Sequence, residues 1–419
     1  MNSEMTSSKQ QKLAFAKLSK IKVGALFMEM GTGKTKVALD LINSRAHKLD
    51  YILWICPFSL KDEIEAERLK WYPNMELNIV GCESIGQSDR IYLEVLNKLK
   101  SSKCAFVVVD ESLKIKNIRA KRTKRILSFS EHSQYRLILN GTPISKNILD
   151  VWTQIQFLSP KILNMTFSEF KDHYCEYYTC GELKGKIKNT HNVSHLISLI
   201  EPYIFECKLE LDTKKNYYQY YYCVNNFVEY EEYKFTIFDE YFDNEELNFN
   251  AFSMALQKWY CDYANTNKEK VLDDVLNIID GQAIIFVRYL SSIPDGAKSI
   301  TGANNNQERK QIIEDFKNGK FDILYITYGC GAYGLNLQFC KNIIFSENTW
   351  DYAQRIQAEA RIYRIGQSEE VNYYDLICSD IGLEKLIKEC VGKKESLLNV
   401  MKTEISKVKG GIKEWVKSI

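Results

Sequence analysis

Residues Val23–Ile42 read VGALFMEMGTGKTKVALDLI, and this stretch decides how the rest of the chain is organised. Ala25-Leu26-Phe27-Met28 is a short apolar run of the kind a buried parallel strand shows. Gly31-Thr32-Gly33-Lys34-Thr35 then turns the chain, and Lys36–Ile42 continues with apolar residues at helical spacing. Strand, glycine turn, Lys-Thr and helix together form a phosphate cradle. Its glycines let backbone N–H groups point inward, and the helix start adds the positive end of its dipole. Gly31, Thr32 and Gly33 supply the loop, Lys34 reaches the β- and γ-phosphates, and the Thr35 hydroxyl holds Mg²⁺. Met28 stands where the strict G-x-x-x-x-G-K-[ST] pattern has its first glycine, but the contacting half of the motif is intact. A nucleotide site is expected here, with ATP and Mg²⁺ as its occupants.

Working outward, Gln11 in the amphipathic helix expected over residues 7–22 has an amide that both donates and accepts. It fits an adenine edge; a surface glutamine is the plain alternative. Tyr51–Leu60 reads as a strand ending in Pro57-Phe58-Ser59, followed by a helix. Ala105–Val109 is a third strand, and Asp110 and Glu111 fall at its carboxyl end. That placement suits one carboxylate holding Mg²⁺ beside another orienting the attacking water. Residues 114–125, KIKNIRAKRTKR, are densely basic, and serve either as a solvated helix face or as contacts to a phosphate backbone. Residues 135–143 form a fourth strand ending in a Gly-Thr-Pro turn that presents Thr142, with helical sequence continuing to Tyr203.

Length and composition set the limits. A chain of 419 residues with 45% hydrophobic content supports two or three packed domains. Lys+Arg 56 against Asp+Glu 54 leaves +2, so any nucleic-acid contact must be a local basic patch. Twelve scattered cysteines suit reduced, buried thiols rather than a disulfide framework. No apolar run approaches a membrane span, and MNSEMTSSKQQ lacks the apolar core of a signal peptide, so a soluble intracellular protein without membrane contact is expected. Cys175, Cys180, His191 and His195 crowd one window at near zinc-finger spacing, but the Cys-to-His interval is short and no zinc site is expected. Tyr217–Phe227, YYQYYYCVNNF, is expected to pack as helix rather than to stack bases.

The blocks EMGTGKT, ICPFSL, VVVDESLKIKN, LNGTPISKN, AIIFVRY, SITGANNNQERKQIIEDF, YGCGAYGLNLQFCKNIIFSENTWD and QAEARIYRIGQ follow one another across nearly the whole chain. In this order they resemble the superfamily 2 helicase-type ATPases, and most specifically the Swi/Snf-like double-stranded DNA translocases. The resemblance implies an α/β protein of two tandem RecA-like lobes, each a mostly parallel sheet with helices on both faces and ATP in the cleft between them. Lobe one would span 1–208 and lobe two 209–419. Arg361 and Arg364 are then implied as arginine fingers at the γ-phosphate, with Gln357 beside them. The i, i+4, i+7 spacing of Gln357, Arg361 and Arg364 places all three on one helix face. Gly334 belongs to the implied coupling loop of the second lobe.

The chain departs from the family pattern at Ser112-Leu113, where Ala-His is usual, so the histidine link to the Gly-Thr-Pro segment is absent. Glu206-Cys207 stand where a pair of arginines is expected. No chromodomain-like, bromodomain-like or nuclease segment is left to place. The expected activity is a DNA-dependent ATPase that moves along duplex DNA through phosphate contacts. A strand-separating DNA or RNA helicase and a non-catalytic nucleic-acid-binding scaffold are the alternatives; Lys34, Asp110, Glu111, Arg361 and Arg364 argue against the latter.

Overall fold

Tyr51–Cys56 and Ala105–Val109 are apolar at every position rather than at alternate ones, the pattern of strands covered on both faces of a sheet. A computed structural model describes residues 7–141, 148–177, 187–209, 211–243, 246–247, 249–263, 265–331, 335 and 337–393. In chain order the strands are β1 Val23–Met28, β2 Tyr51–Cys56, β3 Asn78–Gly81, β4 Ala105–Val109, β5 Tyr135–Asn140, β6 Cys175–Tyr177, β7 Ile187–Thr190 and β8 Ile204–Cys207. After these come β9 Lys215–Tyr222, β10 Phe242–Asp243, β11 Glu246–Leu247, β12 Ala283–Val287, β13 Ser299–Ile300, β14 Ile323–Thr327, β15 Asn342–Phe345 and β16 Val371–Cys378.

Two six-stranded sheets result, ordered β3-β2-β4-β5-β1-β8 and β13-β14-β12-β15-β16-β9. Every pairing within them is parallel. Each sheet lies in its own unit, the division falling between residues 210 and 211. The fold is thus α/β with two RecA-like lobes. Along β4 all five residues are buried: Ala105, Val107 and Val109 join the core formed with Leu99, Phe129 and Ile155. In the second unit Ala283, Ile285 and Val287 belong to one core with residues of the helices Phe227–Tyr241 and Phe249–Tyr263. Ile284 and Phe286 point the other way, where Phe286 stacks on Phe345. Among the described residues no helix is long and apolar enough to cross a membrane.

Two segments differ from the sequence expectation. The run to Tyr203 is not wholly helical, because β6 and β7 form an antiparallel hairpin between the helices Phe167–Tyr174 and Val193–Ile200. The tyrosine-rich segment is not helix but the edge strand β9, paired in register with β16. Aromatic side chains fit a pleated surface well. Tyr217 stacks on Tyr373 and Tyr218 on Tyr374, with ring centroids 5.0 and 5.1 Å apart.

Candidate active site

The phosphate turn forms where β1 runs out. Thr32 N and Thr32 Oγ1 both donate to the Glu29 carbonyl, at 3.3 and 2.7 Å, closing a tight turn. Gly31 and Gly33 take φ of 79° and 80°, a region that glycine enters without steric cost. Gly33 is the N-cap of the helix Lys34–Asn43, and no side chain caps that helix start. Its first N–H groups are therefore left for an anion, which fits a phosphate.

Gln11 sits under this turn. Its Nε2 donates to the Thr32 carbonyl at 3.0 Å, and its Oε1 accepts from Ser8 N at 3.0 Å in a capping box. A Cβ added at Gly33 would lie 2.2 Å from Gln11 Nε2. The amide expected at an adenine edge thus already braces the loop from below.

Glu29, which the sequence reading passed over, ties the turn to the end of the lobe. Its N donates to the Cys207 carbonyl at 3.0 Å, and its Oε2 accepts from Leu209 N at 3.0 Å. At Glu206-Cys207, where arginines were expected, the structure uses backbone instead, with β8 paired to β1.

Asp110 and Glu111 follow β4 directly. Asp110 N donates to the Ile55 carbonyl at 2.7 Å, and Asp110 Oδ1 accepts from Glu111 N at 2.9 Å. Both residues are buried, and Lys34 Nζ lies 4.0 Å from Glu111 Oε1. Burial pushes the Asp110 carboxyl up to about 7; Lys34 pulls it down, and the neighbouring Glu111 charge raises it again. A buried carboxyl that resists ionisation, beside a helix start and the Thr35 position, fits a divalent cation whose charge would take up the proton's place. Glu111 holds φ 49°, a left-handed conformation uncommon for a non-glycine residue.

At the end of neighbouring β5, Asn140 Oδ1 accepts from Gly141 N at 2.7 Å, while its buried Nδ2 has no hydrogen-bond partner among the described residues. Thr142 lies outside the described residues, as do Gly334 and Cys180.

The basic run divides into two kinds of residue. Arg125 Nη1 donates to the carbonyls of Ile85, Gly86 and Ser88, closing the end of the helix Cys82–Gln87, and Arg125 also pairs with Asp89. Lys114 reaches Glu83 at 3.9 Å and Lys121 reaches Asp89 at 3.0 Å. Part of the run is structural; Arg119 and Lys124 are exposed, and so is Lys121, whose ammonium has Asp89 beside it.

In the second unit the helix Tyr352–Glu359 carries Gln357 but stops short of the arginines, so the expectation of one continuous helix face is corrected. Tyr373 Oη donates to the Glu359 carbonyl at 3.0 Å, and Arg361 N bonds Ala358 rather than the residue four back. Arg361 is buried in the turn that follows, its Nη1 donating to the Leu335 carbonyl at 3.2 Å. Arg364 is half-buried one step further along. Gln357 Oε1 is buried without a hydrogen-bond partner among the described residues. The helix itself is pinned by Arg355, whose Nε meets Glu359 at 2.8 Å and whose Nη2 meets Asp375 at 3.2 Å.

Among the described residues no cluster of metal-ligating side chains is found. His195 Nδ1 is instead 3.0 Å from Tyr174 Oη, and its ring faces His173.

A SNF2-related domain model matches residues 15–258, and a helicase conserved C-terminal domain model matches residues 267–366. The chain is similar to the ISWI chromatin-remodeling complex ATPase ISW2 of Saccharomyces cerevisiae, 23% identical over 88% of this chain and 38% of that protein. It is also similar to the uncharacterized ATP-dependent helicase MG018 of Mycoplasma genitalium, 25% identical over 90% of this chain and 40% of that one. The chain thus spans two fifths or less of these relatives. A solved Sulfolobus solfataricus SWI2/SNF2 ATPase core in complex with dsDNA is 20% identical, covering 92% of this chain and 90% of that one with a TM-score of 0.44.

Proposed function

We propose, from the premise that this chain belongs to the SNF2-related family of helicase-type ATPases, that it hydrolyses ATP to move along double-stranded DNA. The observation that carries the reading is the convergence of Lys34, Asp110 and Glu111 at one end of a parallel sheet, beside an uncapped helix start. Open α/β sheets take their ligands at the carboxyl ends of their strands.

Each residue then has a task. The N–H groups at the start of the helix Lys34–Asn43 and the Lys34 ammonium receive the β- and γ-phosphates. Thr35 and Asp110 would hold Mg²⁺, which supplies neutralisation of phosphate charge when bound. Glu111 orients the attacking water and takes its proton. Gln357, Arg361 and Arg364 belong to the charge-stabilising side of the reaction, Gly334 to the coupling loop, and residues 1–208 and 209–419 to the two lobes. A guanidinium acting on the transferred phosphoryl is worth ~10³–10⁵ in rate. The exposed cations Arg119, Lys121 and Lys124 support a grip on phosphate backbone that reads no sequence.

The deciding experiment compares ATP turnover with duplex DNA, single strands and RNA, using Lys34→Ala as control. Stimulation by duplex, absent in the variant, is expected; wild-type turnover by Lys34→Ala removes the catalytic half of the proposal. Displacement of a strand from a forked duplex would move the reading to a strand-separating helicase.

A further inference from the structure

The helix Leu149–Leu158 is buried along nearly its whole length, yet Asp150, Thr153 and Gln154 lie among its apolar residues. A glutamine there costs free energy unless its amide is satisfied. Gln154 Nε2 donates to the Asp150 carbonyl at 2.7 Å, which fixes the direction of the amide. Its Oε1 then accepts from Ser112 Oγ at 2.6 Å, both side chains being fully buried.

Ser112 is the residue directly after Glu111, and it opens the turn Ser112–Ile115. Glu111 holds a left-handed backbone there, so a shift of the next residue is passed on to the carboxylate. The helix at the other end of the bond is the one that follows β5 and Gly141. The hydrogen bond therefore joins the carboxylate turn to the element leading out of the Gly-Thr-Pro segment. That is the connection for which the family pattern would use a histidine at Leu113. An apolar pair of similar volume would be close to neutral for stability, so stability alone does not account for two buried polar partners.

We propose that Ser112 and Gln154 are a positioning pair that couples movement of the helix Leu149–Leu158 to the placement of Glu111, and so sets how far duplex DNA accelerates hydrolysis. The inference rests on the ATPase reading above. Its hydrogen bonds run to protein groups, Ser112 to Gln154 and Gln154 to the Asp150 carbonyl.

Three variants of the full chain test it: Ser112→Ala, Gln154→Met, and the two combined. Turnover is measured with and without duplex DNA, together with the KM for ATP and the melting temperature. Each single variant removes the buried Ser112–Gln154 hydrogen bond while keeping one of its two polar groups, and should melt earlier; the double variant, apolar on both sides, should melt near the wild type. In all three, DNA-stimulated kcat should fall about five- to tenfold, as loss of one oriented hydrogen bond would give, with basal turnover and KM within about twofold. A purely structural pair would regain its DNA-stimulated rate as it regained stability. A double variant stimulated as strongly as the wild type therefore overturns the proposal. Lys34→Ala run alongside separates the cases: if it stays active, the ATPase reading itself has failed, whatever the pair does.

Discussion

Lys34 Nζ lies 4.0 Å from Glu111 Oε1, so the first residue of the helix Lys34–Asn43 meets the turn that follows β4 in the first unit. Neither group is well solvated. The ammonium shields the carboxylate, and phosphate oxygens would compete for the same ammonium. Binding of nucleotide should thus loosen this pair and free Glu111 to face water.

Glu111→Gln tests that division of labour. It keeps the shape and removes the base, so ATP should still bind while turnover falls ~10²–10⁴-fold, the range of general base catalysis. Equilibrium binding of a fluorescent nucleotide beside steady-state turnover checks it. Equal loss of binding and turnover would instead place Glu111 in the binding set.

Gly33→Ala should fail for two separable reasons. At φ 80° an alanine is strained by about 1–2 kcal/mol whatever the space around it. Its Cβ would also meet Gln11 Nε2 at 2.2 Å. Removing the obstacle in Gly33→Ala/Gln11→Ala should recover the steric part of the lost melting temperature and none of the backbone part. Thermal melts of the two variants and of Gln11→Ala alone separate the contributions.

Asp110 gives a pH dependence with a definite sign. Burial raises its carboxyl to about 7 in the folded protein, against an ordinary value of 3.8. The folded state then binds more protons than the unfolded one between these limits. Its stabilising effect is complete below the ordinary value and is lost as pH rises through about 7, a swing on the order of 4 kcal/mol. Nucleotide-free protein should show a falling urea midpoint over that window, and Asp110→Asn should flatten the curve. Adding Mg²⁺ with nucleotide at pH 6.5 should expel a proton, seen as a buffer-dependent heat in titration calorimetry. Chelating the Mg²⁺ should return it.

The phosphate turn and the carboxylates were legible in the sequence because their chemistry is local: glycine, Lys-Thr and a helix in one stretch, two acids ending one strand. Gln11 was visible as an amide, but its engagement with Thr32 depends on how two helices pack, 21 residues apart. The end of the helix at Glu359 was not legible. The residues up to Arg364 keep a helical period, yet Arg361 N bonds Ala358, Arg361 Nη1 reaches Leu335 and Tyr373 takes the Glu359 carbonyl, contacts that the period does not show. The strand β9 was misread because tyrosines occupy both of its faces, hiding the alternation that marks a half-buried strand. Ser112 stood out as a departure from the family pattern, whereas its partner Gln154 looked like any polar residue on a helix.

Arg355 offers the last prediction. It is buried, bonded to Glu359 one turn along its own helix and to Asp375 on β16, with its guanidinium over the Phe345 ring. Glu359 also accepts from Tyr217 Oη at 3.0 Å, so the edge strand β9 joins the same network. Removing the cation alone strips the buried Glu359 and the half-buried Asp375 of their shared partner, and such a loss costs about 3–5 kcal/mol. Arg355→Met should therefore lower stability strongly, and turnover per folded molecule should fall with it, because the turn carrying Arg361 hangs from this helix. The triple variant Arg355→Met/Glu359→Gln/Asp375→Asn removes the uncompensated charge and should recover most of the stability. If turnover recovers with it, the network serves only to hold the fold. If stability returns and turnover does not, the ionic network is what aims Arg361.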